Sequence, residues 1–165
     1  MLNSLTPQRA ALLIFAVALA TILGAWVFEY LGYPPCDLCL KQRWGYYAGV
    51  PLALATAVVA PGNQTLARAG LAFLALLWLG SMVFGAYHAG VEWKWWPGPA
   101  TCGAQAGFSG GLPDLSRPVI LCDKAAIRIL GLSLAGWNAV ISLALALLAL
   151  AGLRAQGSSS VSQYR

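Results

Sequence analysis

Cys36 and Cys39 stand in the stretch Pro34-Pro35-Cys36-Asp37-Leu38-Cys39-Leu40-Lys41-Gln42-Arg43, two sulfurs one helical turn apart and close enough to join. A helical pattern begins at once after the two prolines, so the thiol nearer the helix start feels the positive end of the backbone dipole. Arg43 follows Cys39 by four residues, projects over the same helix face and adds a fixed positive charge. That combination favours a thiolate, the reactive form of cysteine. Two further cysteines, Cys102 and Cys122, bracket a stretch rich in Pro and Gly, and His88 is the only histidine. Thiol–disulfide exchange runs by thiolate attack through a mixed disulfide, so two dithiol pairs able to approach one another can form a relay.

A structural reading competes for each pair. A Cys102–Cys122 bridge would close a loop whose ends are 20 positions apart, which stabilises by about 3 kcal/mol, and for that pair alone the two readings are equal. Cys36 and Cys39 close almost no loop and make a poor staple. A zinc centre of four thiolates would need a second C-x-x-C, whereas Cys102 and Cys122 are far apart in sequence, so no metal is expected.

The elements that position these residues are apolar. The chain has 165 residues, is 59% hydrophobic and 9% charged and has a mean hydropathy of +0.71, against about 25% charged residues in an ordinary soluble domain. Runs of about 18 residues or more are long enough to cross a bilayer core of about 30 Å. The reading is an all-α fold, a four-helix transmembrane bundle forming one membrane domain over residues 1–165. Its ten Lys and Arg are scattered rather than blocked, which argues against a nucleic-acid partner.

Span one covers residues 10–31; it continues well beyond the short apolar core of a signal peptide and is read as uncleaved. Glu29, Tyr30 and Tyr33 mark its interfacial end. Span two, residues 40–60, carries Gly45, Gly49, Ala53 and Ala57 at four-residue spacing, suited to close packing within the chain rather than to homodimerisation. The turn at Pro61-Gly62-Asn63-Gln64 makes span three, residues 66–89, its antiparallel neighbour, with Ser81, Gly85 and Ala89 as a small-residue face. That geometry returns His88 to the level of Cys39 and Arg43. Residues 90–126 form a long loop, Trp-rich at 91–96 where a short interfacial helix is expected, then rich in Pro and Gly. Span four covers residues 127–153, with Gly131, Ala135 and Ala139 as a packing face and Asn138 as an interhelical hydrogen-bonding residue; residues 154–165 read as a disordered tail.

All four cysteines then share one side of the membrane. Counting Lys and Arg gives six on that side and four on the side of the termini, which by the positive-inside rule makes the cysteine side cytoplasmic. Cysteines that cycle through disulfides belong on the oxidising face, and that argument is given precedence. No dinucleotide fingerprint is present and one histidine does not suit haem, so a membrane quinone is the expected electron acceptor. Cys39 and Arg43 would meet it at the mouth of the helix cluster, with Arg43 and His88 donating to its carbonyl oxygens; the competing readings are an Arg43 that snorkels to the interface and a His88 that caps or hydrogen-bonds a loop.

The chain resembles the DsbB family of bacterial disulfide-bond formation proteins. The likeness rests on the four-span layout, the C-x-x-C with Arg four residues later, His88-Ala89-Gly90-Val91-Glu92-Trp93, Trp96-Pro97-Gly98-Pro99 and the paired loop cysteines. The resemblance implies an enzyme of the bacterial inner membrane, with periplasmic cysteine loops and cytoplasmic termini, that reoxidises a DsbA-like thioredoxin-fold partner. It implies Cys36, Cys39, Cys102 and Cys122 as catalytic residues, and Cys39, Arg43 and His88 against ubiquinone, with menaquinone as an alternative carrier. In that relay the partner attacks Cys102 of a Cys102–Cys122 disulfide, Cys122 engages Cys36, and Cys39 is left as the thiolate. Gln42 departs from the family pattern, which often places an acid before the arginine. Two other readings compete: a non-catalytic four-span protein with structural loop disulfides, and a vitamin K epoxide reductase-like quinone reductase, in which the C-x-x-C lies near the end of a later helix.

Overall fold

The computed structural model describes residues 5–99, 102 and 121–161, with side chains as far as residue 155. It is mostly helical, with α1 (Pro7–Tyr30), α2 (Asp37–Val59), α3 (Gln64–Glu92) and α4 (Leu134–Val161). The helix starts are written in the sequence. Thr6 Oγ1 accepts from the Arg9 amide at 3.2 Å ahead of Pro7, and Asn63 Oδ1 accepts from the Leu66 amide at 2.9 Å. Consecutive helices pack side by side and α4 returns to α1, with α3 and α4 the most extensive pair. α1, α3 and the Leu134–Ala155 part of α4 are long and apolar enough to cross a membrane. α2 is less apolar because Asp37, Lys41, Gln42 and Arg43 occupy its first two turns.

The core is centred on Ile14, Leu71, Leu74, Trp78 and Leu145, filled in by alanines. Lipid supplies no hydrophobic drive between helices, so association rests on close packing and interhelical hydrogen bonds. Small residues provide that closeness here. A Cβ on Gly45 would meet Ser81, one on Gly49 would lie 2.6 Å from the Trp78 ring, and one on Gly85 would lie 2.9 Å from the Ala139 amide nitrogen. The small-residue steps of α2 and α3 thus serve contacts within the chain. At Gly85 the obstacle is backbone, which cannot rotate aside. Gly85→Ala is therefore expected to cost about 1–3 kcal/mol, read as a lower midpoint of reversible unfolding in mixed micelles.

The sequence expectation fails before α4. Helix four was expected from residue 127, but residues 128–133 form a two-stranded antiparallel hairpin, with Arg128 opposite Ser133 and Ile129 opposite Leu132. Leu130 and Gly131 both have positive φ, 52° and 85°, as the tight two-residue turn requires. Gly131 is accordingly a turn residue with open space around it and not part of a packing face, whereas Ala135 and Ala139 keep that role. α4 also continues to Val161, past the residue where a disordered tail was expected.

Residues 91–96 form no separate interfacial helix. α3 takes up Val91 and Glu92, and the chain then turns at Lys94 (φ 60°) so that Trp96 folds back, its indole donating to the Tyr87 carbonyl at 3.0 Å and stacking on the Tyr87 ring. Gly90 makes room, since a Cβ there would collide with the Trp96 ring. The Pro- and Gly-rich part of the loop, residues 103–120, falls outside the described residues.

Candidate functional site

Pro34 and Pro35 end the extended link from α1, and Cys36 follows as the N-cap of α2. Its sulfur does what a serine or aspartate oxygen does at such a position, accepting from the Cys39 amide at 3.2 Å. The same sulfur lies 2.7 Å from Cys39 Sγ, and both cysteines are free thiols. Antiparallel packing of α3 brings His88 to the pair, fully buried, with Nε2 3.6 Å from Cys36 Sγ. Gln42, one helical turn beyond Leu38, places its side-chain nitrogen 3.1 Å from His88 Nδ1. An amide NH2 can only donate, so Nδ1 accepts and the ring proton sits on Nε2, directed at Cys36.

The Cys36 thiol is lowered to about 5, chiefly by the hydrogen bond from the Cys39 thiol, against the opposing effect of burial, and then by His88 and the Cys39 amide. In the fully reduced pair the thiolate therefore belongs to Cys36, the cap, rather than to Cys39 beside Arg43. The sequence argument assigned the dipole's benefit to the residue nearer the helix start but could not see that the Cys39 amide and sulfur both lie against Cys36 Sγ.

Cys102 and Cys122 are joined by a disulfide with Cα atoms 5.3 Å apart. Both pack in one buried cluster with Cys36 and Leu38, and Cys39 and Phe84 lie against it. The four cysteines, spread over 87 positions from Cys36 to Cys122 in the chain, thus meet at one end of the helix bundle.

On the other side of Cys39 a mostly apolar cavity of about 560 Å³ opens between α1 and α4. Cys39, Gln42, Arg43 and Tyr46 of α2 form one wall, facing Phe28 of α1 and Asn138 of α4. Arg43 Nη1 donates to Glu29 Oε2 at 2.6 Å; the arginine side chain is 12% exposed and the glutamate 44%. Tyr46 donates to Asn138 Oδ1 at 2.6 Å, the interhelical bond expected of Asn138, and Ser142 adds a second donor to the same oxygen at 3.3 Å. His88 is not among the lining residues. It stands behind Cys36, in contact with that thiol. Sequence reasoning also missed Glu29, read only as an interfacial residue, and the role of Gln42; a lone acid ending an apolar helix shortly before an arginine was the available signal for the first.

Residues 7–152 match the family model described as disulfide bond formation protein DsbB. The chain belongs to the DsbB family. Among similar proteins is a disulfide bond formation protein B of Albidiferax ferrireducens, 34% identical over 162 residues covering 88% of this chain and 87% of that protein. A protein of the same description from Aromatoleum aromaticum is 28% identical, covering 77% of this chain and 80% of its own. An uncharacterised protein of Rickettsia prowazekii is 25% identical, with coverage of 81% and 80%. No solved structure matches the chain. DsbB membership gives the process, disulfide bond formation, and the class of activity, a disulfide oxidoreductase. With three membrane-capable helices the protein is a multi-pass membrane protein.

Proposed function

We propose that this DsbB-family chain reoxidises a periplasmic DsbA-like dithiol oxidant and passes the electron pair to a membrane quinone, ubiquinone or menaquinone. The observation that carries the reading is the meeting of two cysteine pairs in one buried cluster, with Cys39 also on the wall of an apolar cavity. The cavity suits a quinone in size, since ligand pockets run to about 300–1,000 Å³, and Arg43 at its wall suits a carbonyl oxygen.

The exchange balances as follows. With both pairs oxidised, a partner thiolate attacks Cys102, the Cys102–Cys122 bond breaks and Cys122 leaves as a thiolate. Cys122 attacks Cys36, and Cys39 is released as a thiolate at the cavity wall. The partner's second thiol displaces Cys102, so the partner departs as a disulfide. Cys102 then displaces Cys36 from Cys122, which restores the loop disulfide and leaves Cys36 and Cys39 reduced. The geometry described above corresponds to this last state. Cys39 and Arg43 would hold a quinone, which would supply a two-electron, two-proton acceptor for the dithiol, so that Cys36 and Cys39 join again as a disulfide. Within the chain, His88 holds the Cys36 thiolate, Gln42 fixes the histidine tautomer, and Glu29 positions Arg43. We place the cysteine loops on the periplasmic face of the inner membrane and the termini in the cytoplasm, with α2 as the fourth span.

The test uses purified protein, ubiquinone and a reduced DsbA-type partner, and follows quinol formation. Catalytic turnover is expected; no quinol above the uncatalysed rate would reject the reading. Arg43→Ala is expected to raise the ubiquinone concentration giving half-maximal rate by about tenfold to a hundredfold, the loss of one charge-assisted hydrogen bond of about 1.5–3 kcal/mol.

A further inference from the structure

We infer that the reduced Cys36–Cys39 pair and His88 form a binding site for a thiophilic divalent cation, with Zn²⁺ the ion of choice. Cys36 Sγ, Cys39 Sγ and His88 Nε2 all lie within 4.8 Å of one another. In a tetrahedral zinc site, Zn–S of about 2.3 Å and Zn–N of about 2.0 Å set S···N at about 3.5 Å and S···S at about 3.8 Å. Cys36 Sγ and His88 Nε2 already stand 3.6 Å apart. The two sulfurs, at 2.7 Å, need to separate by roughly 1 Å. Cys39 is the partly exposed member, at the first turn of α2, and a side-chain rotation provides that movement.

A second observation points to a cation at the same place. Glu92 lies one turn beyond His88 on α3, 9% exposed, with Oε1 3.9 Å from His88 Nε2. Its Oε2 is buried and has no hydrogen-bond partner among the described residues. Ser133 hydrogen-bonds the Glu92 carboxyl group and Arg128 stands near it, but Oε2 keeps an unused lone pair beside two thiols and an imidazole, where a cation or its bound water would satisfy it. Glu92 stands just outside the three groups that lie within 4.8 Å of one another, where it can hold a water as the fourth ligand. The set differs from a four-thiolate centre, because Cys102 and Cys122 are bonded to each other.

Ligation requires a free lone pair on His88 Nε2, so the ring proton must move to Nδ1. Gln42 accommodates this by turning its amide, after which its carbonyl oxygen accepts from Nδ1–H as an outer-shell partner. Zn²⁺ enters as the two thiol protons leave, with no change of oxidation state. The disulfide form of the pair offers no thiolate and has no site. Bound Zn²⁺ therefore holds the pair reduced and blocks its reoxidation, which makes the cation a reversible inhibitor that acts only on the reduced stage of each turnover. This inference rests on the thiols, the histidine and Glu92, and holds whether or not a quinone is the acceptor.

The experiment uses the full-length chain carrying Cys102→Ala and Cys122→Ala, so that metal reports on the first pair only, titrated with Zn²⁺ against a chromophoric chelator. One Zn²⁺ per chain is expected after reduction with a phosphine, and none after the pair is oxidised with diamide. His88→Gln should weaken binding by at least about tenfold, as even loss of an outer-shell partner does. X-ray absorption at the zinc edge should show two sulfurs at about 2.3 Å and nitrogen or oxygen at about 2.0–2.1 Å; it needs no histidine variant, and so decides the matter if His88→Gln fails to fold. Equal binding by the oxidised chain, affinity unchanged by His88→Gln, or a shell with fewer than two sulfurs overturns the inference. Quinol assays play no part, so failure here and failure of the proposed function are read separately.

Discussion

Cys39→Ser protein, given ubiquinone and a reduced DsbA-type partner, forms quinol at least about 10³-fold more slowly than the parent, the scale of effect expected when a reacting group is removed. Without the Cys39 sulfur, Cys36 has no disulfide partner in its own helix turn. Cys122, once freed, finds no bond to break, and the electron pair stays on the loop cysteines. Misfolding is a poor rival explanation. Cys39 is only partly buried, and serine keeps the backbone amide that donates to Cys36. The Cys102–Cys122 disulfide should remain detectable and the unfolding midpoint should move little. Turnover at the parental rate would remove Cys39 from the relay and the proposed direction of electron flow with it.

Trp78→Ala is the substitution expected to damage the fold most. The ring is fully buried, meets Tyr46 edge-on with centroids 5.1 Å apart, and fills the space left by Gly49. Its removal leaves a cavity in the middle of the bundle, and a Trp→Ala change of this kind costs about 3–5 kcal/mol. The indole Nε1 has no partner among the described residues. Trp78→Phe keeps most of the packing and removes that orphaned donor, so its cost should stay below about 1.5 kcal/mol. Reversible unfolding in mixed micelles compares the two. A Trp78→Ala cost near that of Trp78→Phe would mean that the bundle closes over the gap, and that the small-residue steps are not holding the helices at fixed separation.

Much of this architecture can be read from the chain itself. The Pro61–Gln64 turn forces α2 and α3 antiparallel, so the placing of His88 near the C-x-x-C follows without coordinates. The Gly45–Gly49 and Ser81–Gly85 steps announce close neighbours, although only the fold says that Gly49 faces Trp78 and Gly85 faces Ala139. The hairpin at residues 128–133 was hidden because Ile127-Arg128-Ile129-Leu130-Gly131-Leu132 reads as the apolar start of a span, and a single glycine does not announce that Leu130 also takes a positive φ. Pairings across the bundle were hidden for a different reason. Glu29 and Arg43 belong to different helices, and so do Gln42 and His88; spacing along one helix says nothing of either. Gln42, which looked like a departure of unknown consequence, is explained only when its partner ring comes into view.

The cap of α2 is also a reactive atom. In most helices the residue that ends the first turn is inert, and the order of that turn is a property of temperature and solvent. Here the acceptor for the Cys39 amide is the Cys36 sulfur, whose electron density falls when it enters a disulfide. A disulfide there would weaken the acceptor that starts α2, one turn before Gln42 and Arg43 on the cavity wall, so the order of that helix end is expected to follow the oxidation state of the pair.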